Sequence, residues 1–299
     1  MLKKINKLYK HTASYNTNIP NSNGRSDETD IYYPVLSSSN TETFPIALFL
    51  QGGLVDKSDY SNYANIVASY GFVVVVPNRR RFVPNFGEVL AAEVSQINDV
   101  LQFVEKANTN PDLPINNIIN TEKMVLLGHS IGGNTGLKAI VNTSLATSRS
   151  NKFTRPDALV GGAFYATNLR DSSNNFIPIN NEGIPIALLG GSLDGVTLAE
   201  SEQKTYNQIQ DPPKALITVS GANHYGITND DSLRDPIRPT LEQEVATETI
   251  ARWSALFLRA TVLDDKDAKE YVFETGAAQY PNVNVISETI PIPENTSFL

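Results

Sequence analysis

The chain has no cysteine. That absence excludes disulfide staples, thiolate metal sites, iron–sulfur clusters and a cysteine nucleophile together. Histidine is nearly as scarce, with His11, His129 and His224 making up the count of three. Three scattered imidazoles without a thiol argue against a zinc hydrolase. Long apolar runs are missing too. Residues 72–76 are among the longest, far below the ~18 that a membrane helix requires. The opening MLKKINKLYKHTASYN is basic but lacks the ~7–15-residue apolar core of a secretory signal. The expectation is a cytoplasmic protein with no integral membrane segment. Positive charge is in deficit, 24 Lys and Arg against 32 Asp and Glu, for a net charge of −8. Such a balance disfavours electrostatic binding to nucleic acid or to an anionic membrane. No P-loop or dinucleotide fingerprint is present, so no cofactor and no metal are expected.

What is there is a foldable pattern. With 299 residues, 40% of them apolar, the chain is long enough for two small domains or one large α/β domain. Strand candidates are residues 30–34, 45–51, 72–76, 124–128, 158–165, 184–190 and 215–220. Several, such as FVVVV and MVLLG, are apolar throughout, as in parallel strands covered on both faces. Helix-period stretches lie between them. Ser58 or Asp59 can cap one that carries Tyr60, Tyr63, Val67 and Tyr70 and ends at Gly71. Residues 88–107 place Leu90, Val94, Ile97, Leu101 and Val104 on one stripe. Thr240 with Gln243 resembles a capping box that opens a long helix through Arg259. This alternation implies one doubly wound, mostly parallel sheet with helices on both faces. The expected organisation is a polar lead-in over residues 1–29, a domain over 30–262, and an extension over 263–299 packed on the domain or trailing from it. Residues 167–183 read as a long polar loop over the sheet edge.

The sharpest motif is Gly128-His129-Ser130-Ile131-Gly132-Gly133. It follows the apolar MVLL and precedes the helix-compatible NTGLKAIV, the strand–turn–helix setting of a G-x-S-x-G nucleophile elbow. The turn is tight, so side chains at 128 and 132 would clash. A serine hydroxyl needs an adjacent general base. His11 lies in the polar lead-in, and His129 is locked beside the serine with its ring directed elsewhere. His224 remains, in GANHYG after the strand at 215–220, where the order Ser…Asp/Glu…His places the base. The third member must orient the imidazole. Asp194, in GGSLDG directly after IPIALLG, emerges at the carboxyl edge of the sheet, where sites in open α/β folds gather. Asp171, deeper in a polar loop, is the alternative. For the developing oxyanion, the Ile131 N–H is one donor. A second comes from Gly52-Gly53-Leu54, with Gly53 favoured and Leu54 the alternative.

Other features invite weaker readings. Arg79-Arg80-Arg81 could attract a substrate carboxylate, although loop charge clusters are usually only solvated. Phe82 and Phe86 could line an acyl or alcohol pocket. Tyr60, Tyr63 and Trp253 read as packing residues.

The chain resembles an α/β-hydrolase. FPIALFLQGGLVDKSDYSNYANIVASYGFVVVVPNRR is similar to the chlorophyllase, cutinase-like polyester hydrolase and dienelactone hydrolase branch. The likeness runs from DIYYP through GHSIGG and GSLDG to GANHYG, roughly residues 30–260. It implies the α/β-hydrolase fold, with Ser130 as nucleophile, Asp194 as acid, His224 as base, and Gly53 and Ile131 as oxyanion donors. Plant chlorophyllases tend to carry Arg where this chain has Ile131. Secreted cutinases have disulfides and dienelactone enzymes a cysteine nucleophile, and this chain has neither. The expected function is a serine carboxylic ester hydrolase acting on a small-molecule, apolar ester of chlorophyllase or cutinase/lipase type. The alternatives are a catalytically silent scaffold that binds a small ligand, and an acyltransferase with the same triad.

Overall fold

The apolar runs become the middle of a nine-stranded sheet. A computed structural model describes residues 6–36, 41–83, 87–142 and 153–290. In chain order the elements are β1 (Thr12–Pro20), β2 (Ser26–Pro34), β3 (Phe44–Leu50), α1 (Ser61–Ser69), β4 (Val73–Pro77), β5 (Arg80–Val83) and β6 (Gly87–Leu90). They continue with α2 (Ser95–Ala107), β7 (Ile119–His129), α3 (Ile131–Val141), β8 (Leu159–Tyr165), β9 (Ile186–Gly191) and α4 (Ala199–Tyr206). The last are β10 (Lys214–Val219), α5 (Gln243–Val262), α6 (Lys266–Glu270), α7 (Gly276–Gln279) and β11 (Val283–Glu288).

The strands lie in the order β1-β2-β4-β3-β7-β8-β9-β10-β11. From β4 to β10 neighbours run parallel, while β1, β2 and β11 complete the edges antiparallel. Because side chains alternate along a strand, an unbroken apolar run feeds two cores at once. Ala47 and Phe49 of β3 join α1 and α5 on one face, with Tyr63, Val67, Ile250 and Leu256. Ile46, Leu48 and Leu50 join α2 and α3 on the other, with Ile97, Val104, Leu137 and Ile140. Each such buried aliphatic or aromatic side chain contributes about 1.5–3 kcal/mol. This doubly wound sheet is the α/β-hydrolase fold. None of the helices among the described residues is long and apolar enough to cross a membrane.

Some boundaries differ from the sequence reading. Part of the polar lead-in is β1 and the start of β2, a hairpin paired from Thr12↔Pro34 to Pro20↔Ser26. The side chains of β1 are mostly exposed or half-buried, so no apolar run announces it. The stripe at 88–107 divides into β6 and α2. Thr240 does not cap α5, whose N-cap is Glu242 with no side-chain cap. The Gln243 amide instead donates to the carbonyls of Tyr225 and Thr228 and clamps the loop that carries His224. Asp56 caps the short turn before α1, with Asp59 closing a capping box. Beyond residue 262, β11 pairs with β10, and Tyr271 packs on the buried Trp253 at 5.0 Å between ring centres.

Candidate active site

The chain leaves β3 towards β4 on one side and returns to β7 on the other. That reversal makes the carboxyl ends of β3 and β7 the topological switch point of the sheet. Leu50 pairs with Gly128 there, so Gly52-Gly53 and Ser130 emerge side by side.

Ser130 sits between β7 and α3 at φ 54°, ψ −119°, a conformation that L-residues rarely adopt. Its backbone holds the turn: the N–H donates to the Tyr165 carbonyl at 2.9 Å, and the carbonyl accepts from Thr167 Oγ1 and the Asn134 N–H. The flanking glycines are sterically required. A Cβ at residue 132 would lie 2.0 Å from the Leu50 carbonyl oxygen, and one at residue 128 would lie 2.8 Å from the Gly133 nitrogen.

His224 and Asp194 meet at 2.9 Å, Nδ1 to Oδ2. Both are buried. The other carboxylate oxygen of Asp194 accepts the N–H groups of Val196 and Thr197 at 2.8 and 2.6 Å. The ring of His129, the residue before Ser130, lies 4.9 Å from that of His224. The alternative acid, Asp171, is elsewhere. It is exposed and accepts the Asn175 and Ser173 N–H groups within its own turn, which hold its pKa below the usual value.

In the loop after β3, the Gly52 N–H donates to Tyr60 Oη and the Leu54 N–H to the Leu90 carbonyl. The Gly53 N–H between them has no partner among the described residues. Gly53 also faces the other expected donor: a Cβ there would stand 3.6 Å from Ile131 Cγ2. Arg234 reaches the Gly53 carbonyl at 3.2 Å.

Asp235 escaped the sequence reading. It is fully buried, and its carboxylate accepts the His224 N–H at 2.8 Å, the Ile237 N–H at 2.8 Å and the Gly195 N–H. It thereby ties the loop of His224 to the loop of Asp194. Nothing in DSLRDPIRP distinguishes it from a solvated loop carboxylate. Arg79 is neither solvated nor available to a substrate. Its guanidinium is buried against Asp27, Asp99, Glu93 and Ser95, and its backbone is bonded twice to Gln51 beside the Gly52-Gly53 loop. Burying that many charges is tolerable because each guanidinium nitrogen finds an acceptor. Phe82 is exposed on the β5–β6 hairpin. Phe86 lies outside the described residues. No cluster among the described residues has the His, Asp and Glu groups to hold a metal ion.

Glu202 of α4 is buried, with its Oε1 unpaired among the described residues. Its Oε2 occupies the space a side chain at Gly190 would need. Burial, and then the charge of Asp194, push its pKa well above 4.5. The fold thus favours the protonated form. Its contribution to stability is complete below the unfolded value near 4.5 and is lost as pH rises from there towards the folded value. Glu202→Gln is therefore expected to melt higher than the wild type at pH 8, with the difference shrinking towards pH 4.5. Thermal melts across that range check it; equal melting shifts at both ends would contradict it.

Comparison with known proteins agrees with this architecture. The family model "Chlorophyllase" matches residues 10–161, just over half of the chain. Chlorophyllase-1, chloroplastic, of Citrus sinensis is 23% identical over 209 residues, covering 66% of this chain and 59% of its own length. Chlorophyllase type 0 of Chenopodium album is 24% identical over 230 residues, covering 69% and 62%. Chlorophyllase-1 of Arabidopsis thaliana is 29% identical over 119 residues, covering 40% and 35%. The chain thus spans about three fifths or less of the length of the curated relatives it matches. With the family model matching from β1 through the Ser130 turn and into β8, the chain belongs to the chlorophyllase family.

Proposed function

We propose that the chain is a serine carboxylic ester hydrolase that works through an acyl-enzyme. The observation that carries this reading is the buried bond between His224 and Asp194, with the His224 ring 4.9 Å from that of His129, the residue that leads into the strained Ser130 turn. In this mechanism Ser130 Oγ attacks the ester carbonyl while His224 Nε2 takes its proton. Asp194 holds the proton on Nδ1, which leaves Nε2 as the accepting nitrogen. The N–H groups of Gly53 and Ile131 receive the oxyanion, with Ile131 opening α3, where the helix dipole favours negative charge. His224 then protonates the leaving alcohol, and water repeats the cycle against the acyl-enzyme. The Gly52 and Leu54 N–H groups already have acceptors, which favours Gly53 over Leu54 in this role.

An apolar ester suits the surroundings. Leu54, Phe82, Val196, Leu198, Leu233 and Ile237 are large and exposed, Phe82 on the β5–β6 hairpin and the others on the segments that follow the carboxyl ends of β3, β9 and β10. The name of the family points to the same class, an ester of a bulky apolar alcohol. A fluorophosphonate probe tests the chemistry: one probe per chain is expected, carried on the peptide that contains Ser130. Absence of labelling, or labelling at another serine, would remove the reading and favour a silent scaffold.

A further inference from the structure

The hydrogen bonds around His129 cross from one side of the site to the other. His129 Nε2 lies 3.0 Å from the carbonyl oxygen of His224. A carbonyl only accepts, so Nε2 carries the proton. Nδ1 of the neutral ring is then a bare acceptor, and the Tyr60 hydroxyl at 2.9 Å must donate to it. The oxygen of that hydroxyl accepts the Gly52 N–H at 2.9 Å. Every bond therefore has one direction: Gly52 to Tyr60, Tyr60 to His129, His129 to the His224 carbonyl. A protonated ring would set a second donor against the Tyr60 O–H. Burial and the neighbouring His224 hold the His129 pKa well below 6.5, in keeping with the neutral form. The fit is close, since a Cβ at residue 52 would stand 2.6 Å from His129 Nδ1.

We propose that His129 is a positioning residue whose neutral ring holds the Gly52-Gly53 loop and the His224 loop in register across Ser130. The proposal rests on the ester-hydrolase reading above. His129 directly precedes Ser130 in the backbone, so one imidazole joins the serine turn, the oxyanion loop and the base loop. It also completes the restraint of His224. The N–H of that residue goes to Asp235, its Nδ1 to Asp194 and its carbonyl to His129. Nε2 is left for the serine.

The test compares Tyr60→Phe, His129→Leu and His129→Gln in the full chain, with p-nitrophenyl butyrate as substrate and Ser130→Ala as control. Tyr60→Phe keeps the ring but cuts the link. The amide of His129→Gln supplies one acceptor and one donor in place of the two ring nitrogens. Tyr60→Phe and His129→Leu are expected to lower kcat on the order of 10- to 100-fold with KM little changed, because misplaced groups fail chiefly in the transition state. His129→Gln is expected to recover most of that loss. Wild-type kcat in folded Tyr60→Phe and His129→Leu would overturn the proposal. So would His129→Gln as slow as His129→Leu, which would reduce the ring to packing. Should Tyr60→Phe not fold, the two His129 variants decide between them. An active Ser130→Ala would instead overturn the ester-hydrolase reading on which the proposal stands.

Discussion

Ser130→Ala is expected to lower kcat on a short p-nitrophenyl ester by on the order of a million-fold, with its melting temperature close to that of the wild type. The size of the effect follows from the proposed chemistry, since a covalent route has no substitute for its nucleophile and only binding and oxyanion donors remain. Survival of the fold follows from the local geometry. The turn is held by the backbone, through the bonds from Ser130 N–H to Tyr165 and from Thr167 and Asn134 to the Ser130 carbonyl. Alanine at φ 54° bears about the same strain as serine, so nothing structural is lost with the hydroxyl. Steady-state kinetics and a thermal melt on the same preparation check both halves. Undiminished hydrolysis by a folded variant would exclude Ser130 as the nucleophile.

The second large effect is expected at Asp194. Asn is nearly the same shape, yet the surroundings dictate which way its amide points. Oδ1 of Asp194 accepts two backbone N–H groups, from Val196 and Thr197, and only an oxygen can remain there. The amide nitrogen of Asp194→Asn must then face His224 Nδ1 and donate to it. The imidazole is forced into the opposite tautomer, with its proton on the nitrogen that should receive the proton of Ser130. A fall in kcat on the order of 10⁴-fold is expected, the size known for the corresponding change in a serine protease. The folded structure is retained because every bond at the site keeps a donor and an acceptor. A kcat within tenfold of the wild type would shift the orienting role away from Asp194. Asp171 is poorly suited to inherit it, being exposed and engaged with Asn175.

The elbow at 128–133 is legible because its demands are local. The glycines are needed by atoms one strand or one turn away, and the preceding run of β7 is apolar on both faces. His224 and Asp194 are legible by elimination and by their position after apolar strands. Of the hairpin, residues 30–34 of β2 are legible as a strand, whereas the edge strand β1 and the start of β2 are not, because the side chains of β1 are mostly exposed or half-buried and carry no hydrophobic signal. Gln243 looks like a capping residue from its spacing, but the amide finds better partners in the loop of His224 than at the helix end.

The supporting residues were hidden for a different reason. Asp235, Tyr60 and His129 act through hydrogen bonds that join separate loops, and the residue type alone does not announce such bonds. The same holds for Arg79, which looks like part of a solvated run and is instead the buried centre of four polar contacts. The absence of cysteine and the count of three histidines were enough, with the G-x-S-x-G spacing, to narrow the chemistry to a serine and one usable base. Those are properties of composition and short-range sterics, which the chain carries wherever it folds. Which carboxylate meets His224, which N–H of the glycine loop stays free, and what the second histidine of the site is bonded to were decided by the tertiary structure. Each depends on loops from different strands converging at the switch point, and that convergence is a product of sheet order and packing.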